Sequence, residues 1–285
     1  MATLTTQEFE SFRDYIETEC GISLGVDKIY LVESRLKPML AKHHCVTYGA
    51  LYQLTSGPDK AKLRQEVIDA ITTNETLWFR DKAPFEVLAE VFLPQMKELI
   101  RKGKPKVRIW SAACSTGQEP YSIAMVIHDF IDAHGEGFLN PNHFEILATD
   151  ISIQALAIAR VGAYDKFTMG RGMDEAQTEK FFKQNQQFWI INPNLKKQIV
   201  FKEINLQEDF SALGAFDAIF IRNVAIYFAH DAKVRLFEKV QKLMVPHSIL
   251  FLGSTESMSY YSNKLAGREH KKSVYYQLGF SPSGS

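Results

Sequence analysis

Apolar residues in the first 80 positions recur at intervals of three and four, as in Phe9, Phe12 and Ile16. That spacing is typical of amphipathic helices, and the two-residue alternation of a strand does not interrupt it. Glycines divide the stretch into four short helices, of which the last runs from about Pro58 to Thr73. We therefore predict a helical domain over residues 1–80.

The pattern changes after Lys106, where short apolar runs alternate with amphipathic segments. Such alternation is typical of a parallel sheet covered by helices, so we predict an α/β domain over residues 81–285. The predicted strands are Val107–Trp110, Phe144–Thr149, Val200–Ile204 and Phe216–Ile221, followed by an antiparallel pair at Ile249–Gly253 and Val274–Leu278. The predicted helices span 120–133, 153–160 and 231–244.

One segment interrupts the alternation between Gly162 and Lys197. It combines a helical pattern at Asp174–Lys183 with a short apolar run at Phe188–Ile191. We predict a small inserted subdomain over residues 162–200.

The chain is neutral overall, with 33 basic and 33 acidic residues among 285. An even balance disfavours a nucleic-acid-binding protein. No apolar run approaches the roughly 20 residues that span a bilayer, and the N-terminus lacks the features of a secretory signal. We therefore expect a cytoplasmic protein that is not embedded in a membrane. Three scattered cysteines argue against a disulfide framework or a zinc site, so we predict reduced thiols and no metal.

Local charge departs from this balance between Lys28 and Arg64, where basic residues outnumber acidic ones by five. A solvated surface is one interpretation, because most charge runs are of that kind. A basic face that docks an acidic partner helix is the other, and composition alone favours the solvated surface.

Small residues fill the turn between the first strand and its helix, Ser111–Pro120. Such a turn lets a ligand approach the backbone at the carboxyl end of a parallel strand. The turn has a single glycine, Gly117, and lacks the glycine-rich and lysine-containing patterns that bind phosphates. Cofactors with a pyrophosphate are therefore disfavoured.

Polar and aromatic side chains follow two further strands at the same edge of the predicted sheet. Asp150 ends the second strand, where a carboxylate can bind both hydroxyls of a ribose, although an acid at the start of a helix is an ordinary alternative. Asn223, Tyr227 and Phe228 follow the strand that ends at Ile221, and core packing is the alternative for the aromatic pair. A ligand with a ribose and an adenine but no phosphates fits this edge, which favours S-adenosylmethionine over NAD.

The sequence resembles the CheR family of chemotaxis receptor glutamate methyltransferases, and the resemblance covers nearly the whole chain. The motifs that carry it are Gly21-Ile-Ser-Leu24, Lys28, Arg35-Leu36, Thr73-Asn-Glu-Thr-Leu-Trp-Phe-Arg80, Trp110-Ser-Ala-Ala-Cys-Ser-Thr-Gly-Gln-Glu-Pro-Tyr-Ser122, Ala148-Thr-Asp150, Ala159-Arg-Val-Gly-Ala-Tyr164, Asn205-Leu206 and Arg222-Asn-Val-Ala-Ile-Tyr-Phe228. It implies a class I, Rossmann-like methyltransferase sheet with an N-terminal helical domain and a small inserted α/β subdomain. It also implies S-adenosylmethionine as cofactor, S-adenosylhomocysteine as product, and protein-glutamate O-methylation as the activity.

The resemblance assigns roles to particular residues. Arg80 and Tyr227 would act beside the transferable methyl group. Four aromatic residues would form the dry walls around it: Trp78, Phe79, Tyr227 and Phe228. The implied cofactor-binding residues are Asn74, Thr76, Arg80, Ala113, Gly117, Glu119, Asp150, Asn205, Leu206, Asn223 and Val224.

Several of these residues have ordinary alternatives when taken singly. Arg80 could form a surface ion pair with Asp81 or Glu86, Glu119 could cap a helix, and Asn205 could form a turn. Their occurrence together favours the functional interpretation.

The family's substrates are glutamates on the long helical coiled coils of chemoreceptors. The basic stretch would then dock an acidic receptor helix, and its predicted docking residues are Lys28, Arg35, Lys37 and Lys42. Some members also hold a receptor's C-terminal peptide on the edge of the inserted subdomain. The connection Lys183–Trp189 is short by comparison, so we expect a monomeric enzyme that works without such a tether.

The sequence departs from the family pattern at two places. Ala225 replaces a larger aliphatic residue, which would loosen one wall of the pocket. Pro246-His-Ser248 replaces a Pro-Gly-Gly sequence, which we expect to affect only a turn.

Two other functions remain open at this point. A small-molecule methyltransferase would share the cofactor site but would need no basic helical domain. A catalytically silent module would bind the cofactor or a receptor without turnover.

Overall fold

Amphipathic helices form the N-terminal region, and their apolar faces meet in a core that contains Phe9, Phe12 and Leu36. The computed structural model describes residues 2–279; Met1 and residues 280–285, which the predicted domain bounds include, lie outside the described range. The four predicted helices are confirmed as α1 (Thr6–Cys20), α2 (Ile29–Lys42), α3 (Tyr48–Gln53) and α4 (Lys60–Ile71).

In the described part of the chain, eight further α-helices and ten strands follow. The helices are α5 (Ala83–Val87), α6 (Leu93–Arg101), α7 (Gln118–His134), α8 (Ile153–Val161), α9 (Lys166–Met169), α10 (Glu175–Phe181), α11 (Pro193–Lys196) and α12 (His230–Gln241). The strands are β1 (Val107–Ala112), β2 (Phe144–Asp150), β3 (Ala163–Asp165), β4 (Phe182–Asn185), β5 (Phe188–Ile191), β6 (Ile199–Glu203), β7 (Phe216–Ile221), β8 (Met244–Leu252), β9 (Leu265–His270) and β10 (Ser273–Leu278).

Seven of the strands form one twisted sheet in the order β6-β2-β1-β7-β8-β10-β9. The first five are parallel, and β10 pairs antiparallel with β8 and β9. The predicted α/β class and the predicted antiparallel pair of β8 and β10 are therefore confirmed. The sequence interpretation missed β9, which has no apolar run and exposes Gly267, Arg268 and Glu269.

Apolar side chains cover both faces of this sheet, because its strands are buried between helices. Ile109 and Phe220 pack into a cluster that includes residues of α6 and α7. Trp110 and Ile219 point to the opposite face, where they meet residues of α12. This double covering explains why the parallel strands were visible in the sequence as continuous apolar runs.

The turn expected at Pro246-His-Ser248 is wrong, because these residues lie inside β8. Strand β8 has an irregular register with β7 at this point. His247 Nε2 lies 2.6 Å from Asp217 Oδ1, and Ser248 Oγ donates to the carbonyl of Phe216 at 2.6 Å. Polar contacts with β7 thus hold the substituted residues in the sheet.

The inserted segment folds as a second, three-stranded sheet in the order β3-β5-β4. The short apolar run Phe188–Ile191 forms β5, and two residues, Gln186 and Gln187, join it to β4. Lys180 of α10 contacts Asp129 and Asp132 of α7, each at 2.7 Å. The connection that we interpreted as short is a tight hairpin.

Candidate active site

An open cleft lies where β1, β2 and β7 reach their carboxyl ends, which is the usual ligand position in open α/β sheets. It encloses about 940 Å³ out to its mouth. Helix α1 and the segment after it contribute Cys20 and Ile22 to the lining. The predicted site residues that line the cleft are Asn74, Thr76, Arg80, Ala113, Glu119, Asp150, Asn205, Leu206, Asn223, Val224 and Tyr227.

The carboxylate of Asp150 is fixed by the two turns that follow β1 and β2. Its oxygens accept N–H bonds from Ser115 at 2.7 Å and Ser152 at 2.9 Å. The side chain is buried, and this desolvation raises the pKa of Asp150, while the two backbone donors oppose the rise. Further lone pairs on both oxygens can accept bonds from a pair of hydroxyl groups.

Gly117 is the one predicted cofactor residue that does not line the cleft. Its φ is +98°, and a Cβ at this position would lie 2.9 Å from Ala159 Cβ and 3.0 Å from the hydroxyl of Tyr164. The glycine therefore allows the start of α7 to pack closely against α8 and β3.

A buried ionic cluster adjoins the cleft and contains one residue that the sequence interpretation missed. Arg222 donates to Glu119 Oε2 at 2.9 Å, to Asp81 Oδ2 at 2.8 Å and to the carbonyl of Arg80 at 2.5 Å. Ser111 Oγ donates to the other oxygen of Glu119 at 2.8 Å, so the helix cap considered for Glu119 is wrong. A charged residue directly after the apolar strand β7 was the available signal for Arg222.

The Arg80 side chain lines the cleft and makes no hydrogen bond or ion pair with any of residues 2–279. The ion pairs considered for it are wrong, because Asp81 pairs with Arg222 and Glu86 lies near Lys271. An arginine without a carboxylate partner, at the wall of a cleft, remains available to an acidic group from outside.

Two of the four aromatic residues expected to wall the cleft do not line it. Trp78 is buried in the core, where its ring contacts Tyr164 at 4.9 Å and Phe182 at 5.4 Å. Phe79 packs against Phe85 at 5.3 Å. This part of the prediction is wrong, because the loop turns both rings towards the sheet and the inserted subdomain.

The other aromatic pair does line the cleft, as predicted. Tyr227 is 38% exposed, whereas Phe228 is buried. Ile22 forms an isolated antiparallel bridge with Phe228, and the N–H of Ser23 donates to the carbonyl of Tyr227 at 2.8 Å. The segment after α1 thus supports the aromatic wall.

The polar atoms of Asn205 are used within the protein. Its amide nitrogen donates to the carbonyl of Glu19 at 2.7 Å, and its oxygen accepts the N–H of Gln207 at 3.0 Å. The turn considered for Asn205 is therefore present. Its side chain nevertheless lines the cleft beside Leu206, so both can contact a ligand by packing.

Asn223 adopts a left-handed conformation with φ of +57° after β7. Its N–H donates to Glu256 Oε2 at 2.7 Å, and the same oxygen accepts the N–H of Gly253 at 2.7 Å. Asn223 Oδ1 is buried without a hydrogen-bond partner among the described residues. Glu256, which the sequence interpretation missed, therefore holds the turn at Asn223. The side-chain oxygen of Asn223 stays available to a ligand.

The four predicted docking residues have different surroundings. Lys28 pairs with Asp27 at 3.1 Å and Lys42 with Glu66 at 3.0 Å, while Lys37 is exposed. Arg35 donates to the carbonyls of Ile71 and Thr72 and to the hydroxyl of Thr73, so it holds the segment that leads into the cleft. A structural role thus accompanies any docking role of Arg35.

Comparison with known proteins shows the family to which the chain belongs. Residues 7–72 match the family model described as "CheR methyltransferase, all-alpha domain", and residues 74–274 match "CheR methyltransferase, SAM binding domain". Chemotaxis protein methyltransferase 1 of Pseudomonas aeruginosa is 41% identical over 254 residues, which are 88% of this chain and 90% of that protein. Chemotaxis protein methyltransferase 1 of Vibrio cholerae is 39% identical over 277 residues, which are 97% of this chain and 98% of that protein.

Solved structures of other methyltransferases are more distant. The complex of DhpI with SAH is 13% identical, with a TM-score of 0.32, and the match covers 87% of this chain and 78% of that one. The glycopeptide N-methyltransferase MtfA complexed with S-adenosylmethionine is 13% identical, with a TM-score of 0.33, and the match covers 66% and 65%.

The cleft fits the cofactor that the family model names. Asp150 has a buried carboxylate at the carboxyl end of β2, where α/β folds that bind nucleosides place an acid for the ribose. Glu119 lines the cleft with a carboxylate, whose charge is opposite to that of the ammonium group on an amino-acid end. S-adenosylmethionine carries both groups and no phosphate, and it is the cofactor of this chain.

Proposed function

The chain belongs to the CheR family of chemotaxis methyltransferases, and from this premise we propose that it methylates glutamate side chains of chemoreceptors. The products would be glutamate methyl esters and S-adenosylhomocysteine. The unpaired guanidinium of Arg80 at the wall of the cleft carries this proposal, because it is suited to an acidic acceptor.

The cofactor is bound by charges and acceptors that are already in place. Asp150 would accept the ribose hydroxyls, and Glu119 would bind the ammonium group. When bound, S-adenosylmethionine supplies a methyl group on a positively charged sulfur, which an ionised carboxylate can accept without a general base. A glutamate with its ordinary pKa near 4.3 is ionised at neutral pH, so the chain's own residues need only align it.

Arg80 would position the acceptor carboxylate through its planar pair of donors. The carboxylate loses its charge when it becomes an ester, so a very tight ion pair would stabilise the reactant more than the transition state. Arg80 would therefore align the carboxylate oxygen with the methyl group without forming a very tight ion pair.

Tyr227 and Phe228 would exclude water from the reacting oxygen. Phe228 is buried and Tyr227 is partly exposed at the wall of the cleft, so a docked substrate would cover the tyrosine. Exclusion of water strengthens the electrostatic interactions inside the site.

The basic helical region would bring an acidic receptor helix to the cleft through Lys28, Lys37 and Lys42. Among the described residues, none of the helices has the length and apolar content needed to span a membrane. We place the enzyme in the cytoplasm as a monomer that needs no peptide tether.

The proposal is tested with radiolabelled S-adenosylmethionine and the soluble cytoplasmic fragment of a chemoreceptor. We expect label on the fragment that base releases as volatile methanol. Arg80→Ala should lower turnover by roughly 100-fold because positioning is lost, while calorimetry shows nearly unchanged affinity for S-adenosylhomocysteine. Arg268→Ala, which removes an exposed arginine of β9 at the far edge of the sheet, is the matched control.

Other outcomes would contradict the proposal in different ways. Base-stable label would indicate nitrogen methylation, and label on small molecules alone would indicate a small-molecule enzyme. Cofactor binding with no transfer to any acceptor would indicate a silent module. Loss of cofactor binding in Arg80→Ala would overturn the positioning role of this residue.

A further inference from the structure

An ion pair joins the inserted subdomain to the wall of the cleft. Arg171, in the turn between α9 and α10, lies 2.6 Å from Glu75 Oε1. Glu75 lines the cleft, and its side chain is 69% exposed, which places this carboxylate at the mouth. The guanidinium of Arg171 also lies 5.6 Å from the ring centre of Phe167, an exposed residue of α9.

The position of Arg171 is fixed by the backbone as well as by the ion pair. Its carbonyl accepts the N–H of Trp78 at 3.1 Å. The next residue, Gly172, lies so close to Trp78 that a Cβ would be 2.2 Å from the tryptophan carbonyl. The turn and the segment that holds Glu75 therefore behave as one packed unit.

Two carboxylates that line the cleft, Glu119 and Glu75, are each paired with an arginine. Inside, Arg222 balances Glu119. At the mouth, Arg171 is the one cation in salt-bridge contact with Glu75 among the described residues. Without Arg171, an acidic substrate would have to pass the unpaired carboxylate of Glu75. Two negative charges that come close together repel each other.

We infer that Arg171 is a specificity-determining residue, which neutralises Glu75 so that an acidic side chain can enter the cleft. The inference rests on the proposed function, because only an acidic acceptor would be repelled by Glu75. Together with the exposed ring of Phe167, Arg171 forms a basic and apolar rim that suits an acidic amphipathic helix.

Steady-state methylation of the receptor fragment tests this role. Arg171→Gln should raise KM for the fragment by roughly three- to tenfold at low salt, with little change in kcat or in affinity for S-adenosylhomocysteine. The increase should shrink at about 0.5 M salt because the repulsion is screened. Arg171→Lys should retain most of the wild-type KM.

A second substitution separates charge from structure. Glu75→Gln in the Arg171→Gln background should restore KM, since it removes the carboxylate that Arg171 balances. Lys180→Gln is the control, because it removes a cation of the same subdomain whose partners are Asp129 and Asp132 on α7.

Three results would overturn the inference while leaving the proposed function intact: an unchanged KM in Arg171→Gln, a raised KM that neither salt nor Glu75→Gln reverses, or lost cofactor affinity. Absence of base-labile product with the unaltered chain would instead overturn the proposed function, and the inference with it.

Discussion

The carboxylate of Asp150 is held by two backbone N–H groups and is nearly enclosed by protein. Its burial makes the charge costly, and the cost appears as a raised pKa. In the free protein, burial therefore disfavours the ionised form of Asp150 at the position where a ribose would bind. Cofactor affinity should depend on that ionised form.

Acid should weaken cofactor binding through Asp150. Because its pKa is raised above 3.8, the carboxylate takes up a proton at a higher pH than an ordinary aspartate. Binding that needs the ionised form is complete above the raised pKa and is lost as the pH falls through it. Calorimetric titration with S-adenosylhomocysteine should show this loss in the wild type.

Asp150→Asn should bind at least roughly tenfold more weakly at neutral pH, because hydrogen bonds to a charged group are the stronger ones. Its residual affinity should not follow the acid transition of the wild type. Asp209→Asn, at an exposed turn, is the control. A wild-type affinity that stays flat down to the ordinary aspartate range would contradict the role of Asp150.

Most of the residues that line the cleft could be predicted from the sequence. The side chains with which they pair or pack could not. Asp150 and Asn223 could be predicted because Asp150 ends the apolar strand β2 and Asn223 lies two residues after β7, both at the binding edge. The pairing of Glu119 with Arg222 joins residues 103 positions apart, so no local pattern contains it. The burial of Trp78 was missed for the same reason, since its neighbours belong to the inserted subdomain.

Among the larger elements, the segment 73–80 depends on the inserted subdomain for its shape. It has no regular secondary structure over residues 73–77, and Trp78 anchors it between two rings of that subdomain. The backbone contact with Gly172 completes the anchor. Cleft residues such as Asn74 and Arg80 are therefore placed by an element that lines none of the cleft itself.

Gly172→Ala should disturb this anchor. The added Cβ would collide with the carbonyl of Trp78, and the φ of +111° is unfavourable for alanine. We expect the free energy of unfolding to fall by roughly 1–3 kcal/mol, with a weaker affinity for S-adenosylhomocysteine.

Gly103→Ala provides the matched control. Its φ is +100°, but nothing lies within 4 Å of the added Cβ. It should share the backbone strain without the collision, so it should destabilise less and leave the cofactor affinity unchanged. Equal effects on affinity in the two variants would rule out the anchoring role.

Strands that contain an apolar run could be predicted from the sequence, and polar or very short strands could not. The predicted and observed bounds of β7 are the same. All six of its residues are apolar or buried, because the neighbouring strands and the covering helices exclude water from it. In contrast, β4 is largely exposed and polar, and β3 has only three residues. Pairing with β5 makes them strands, and that pairing is a tertiary event.

The whole molecule combines a neutral total charge with a basic N-terminal region. Lys37 is exposed on α2, and Lys42 is exposed at its end beside Glu66. Long-range attraction to an acidic receptor helix would act mainly on the rate of encounter and would be sensitive to salt.

Lys37→Glu and Lys42→Glu should each raise KM for the receptor fragment by several-fold at low salt, with unchanged affinity for S-adenosylhomocysteine. Lys102→Glu, at the opposite end of the sheet after α6, is the control with the same change of charge. Methylation rates at low salt that match the wild type would refute the docking role of the basic region.

The bridge between Ile22 and Phe228 has a consequence for protein engineering. It makes the aromatic side of the catalytic chamber a joint product of the first and last thirds of the chain. A chimera that takes only the N-terminal helices from a related enzyme would pair Ile22 of one protein with Phe228 of another, and the two should not pack correctly unless both are exchanged. Grafts should therefore carry the segment around residue 228 together with the transplanted helices.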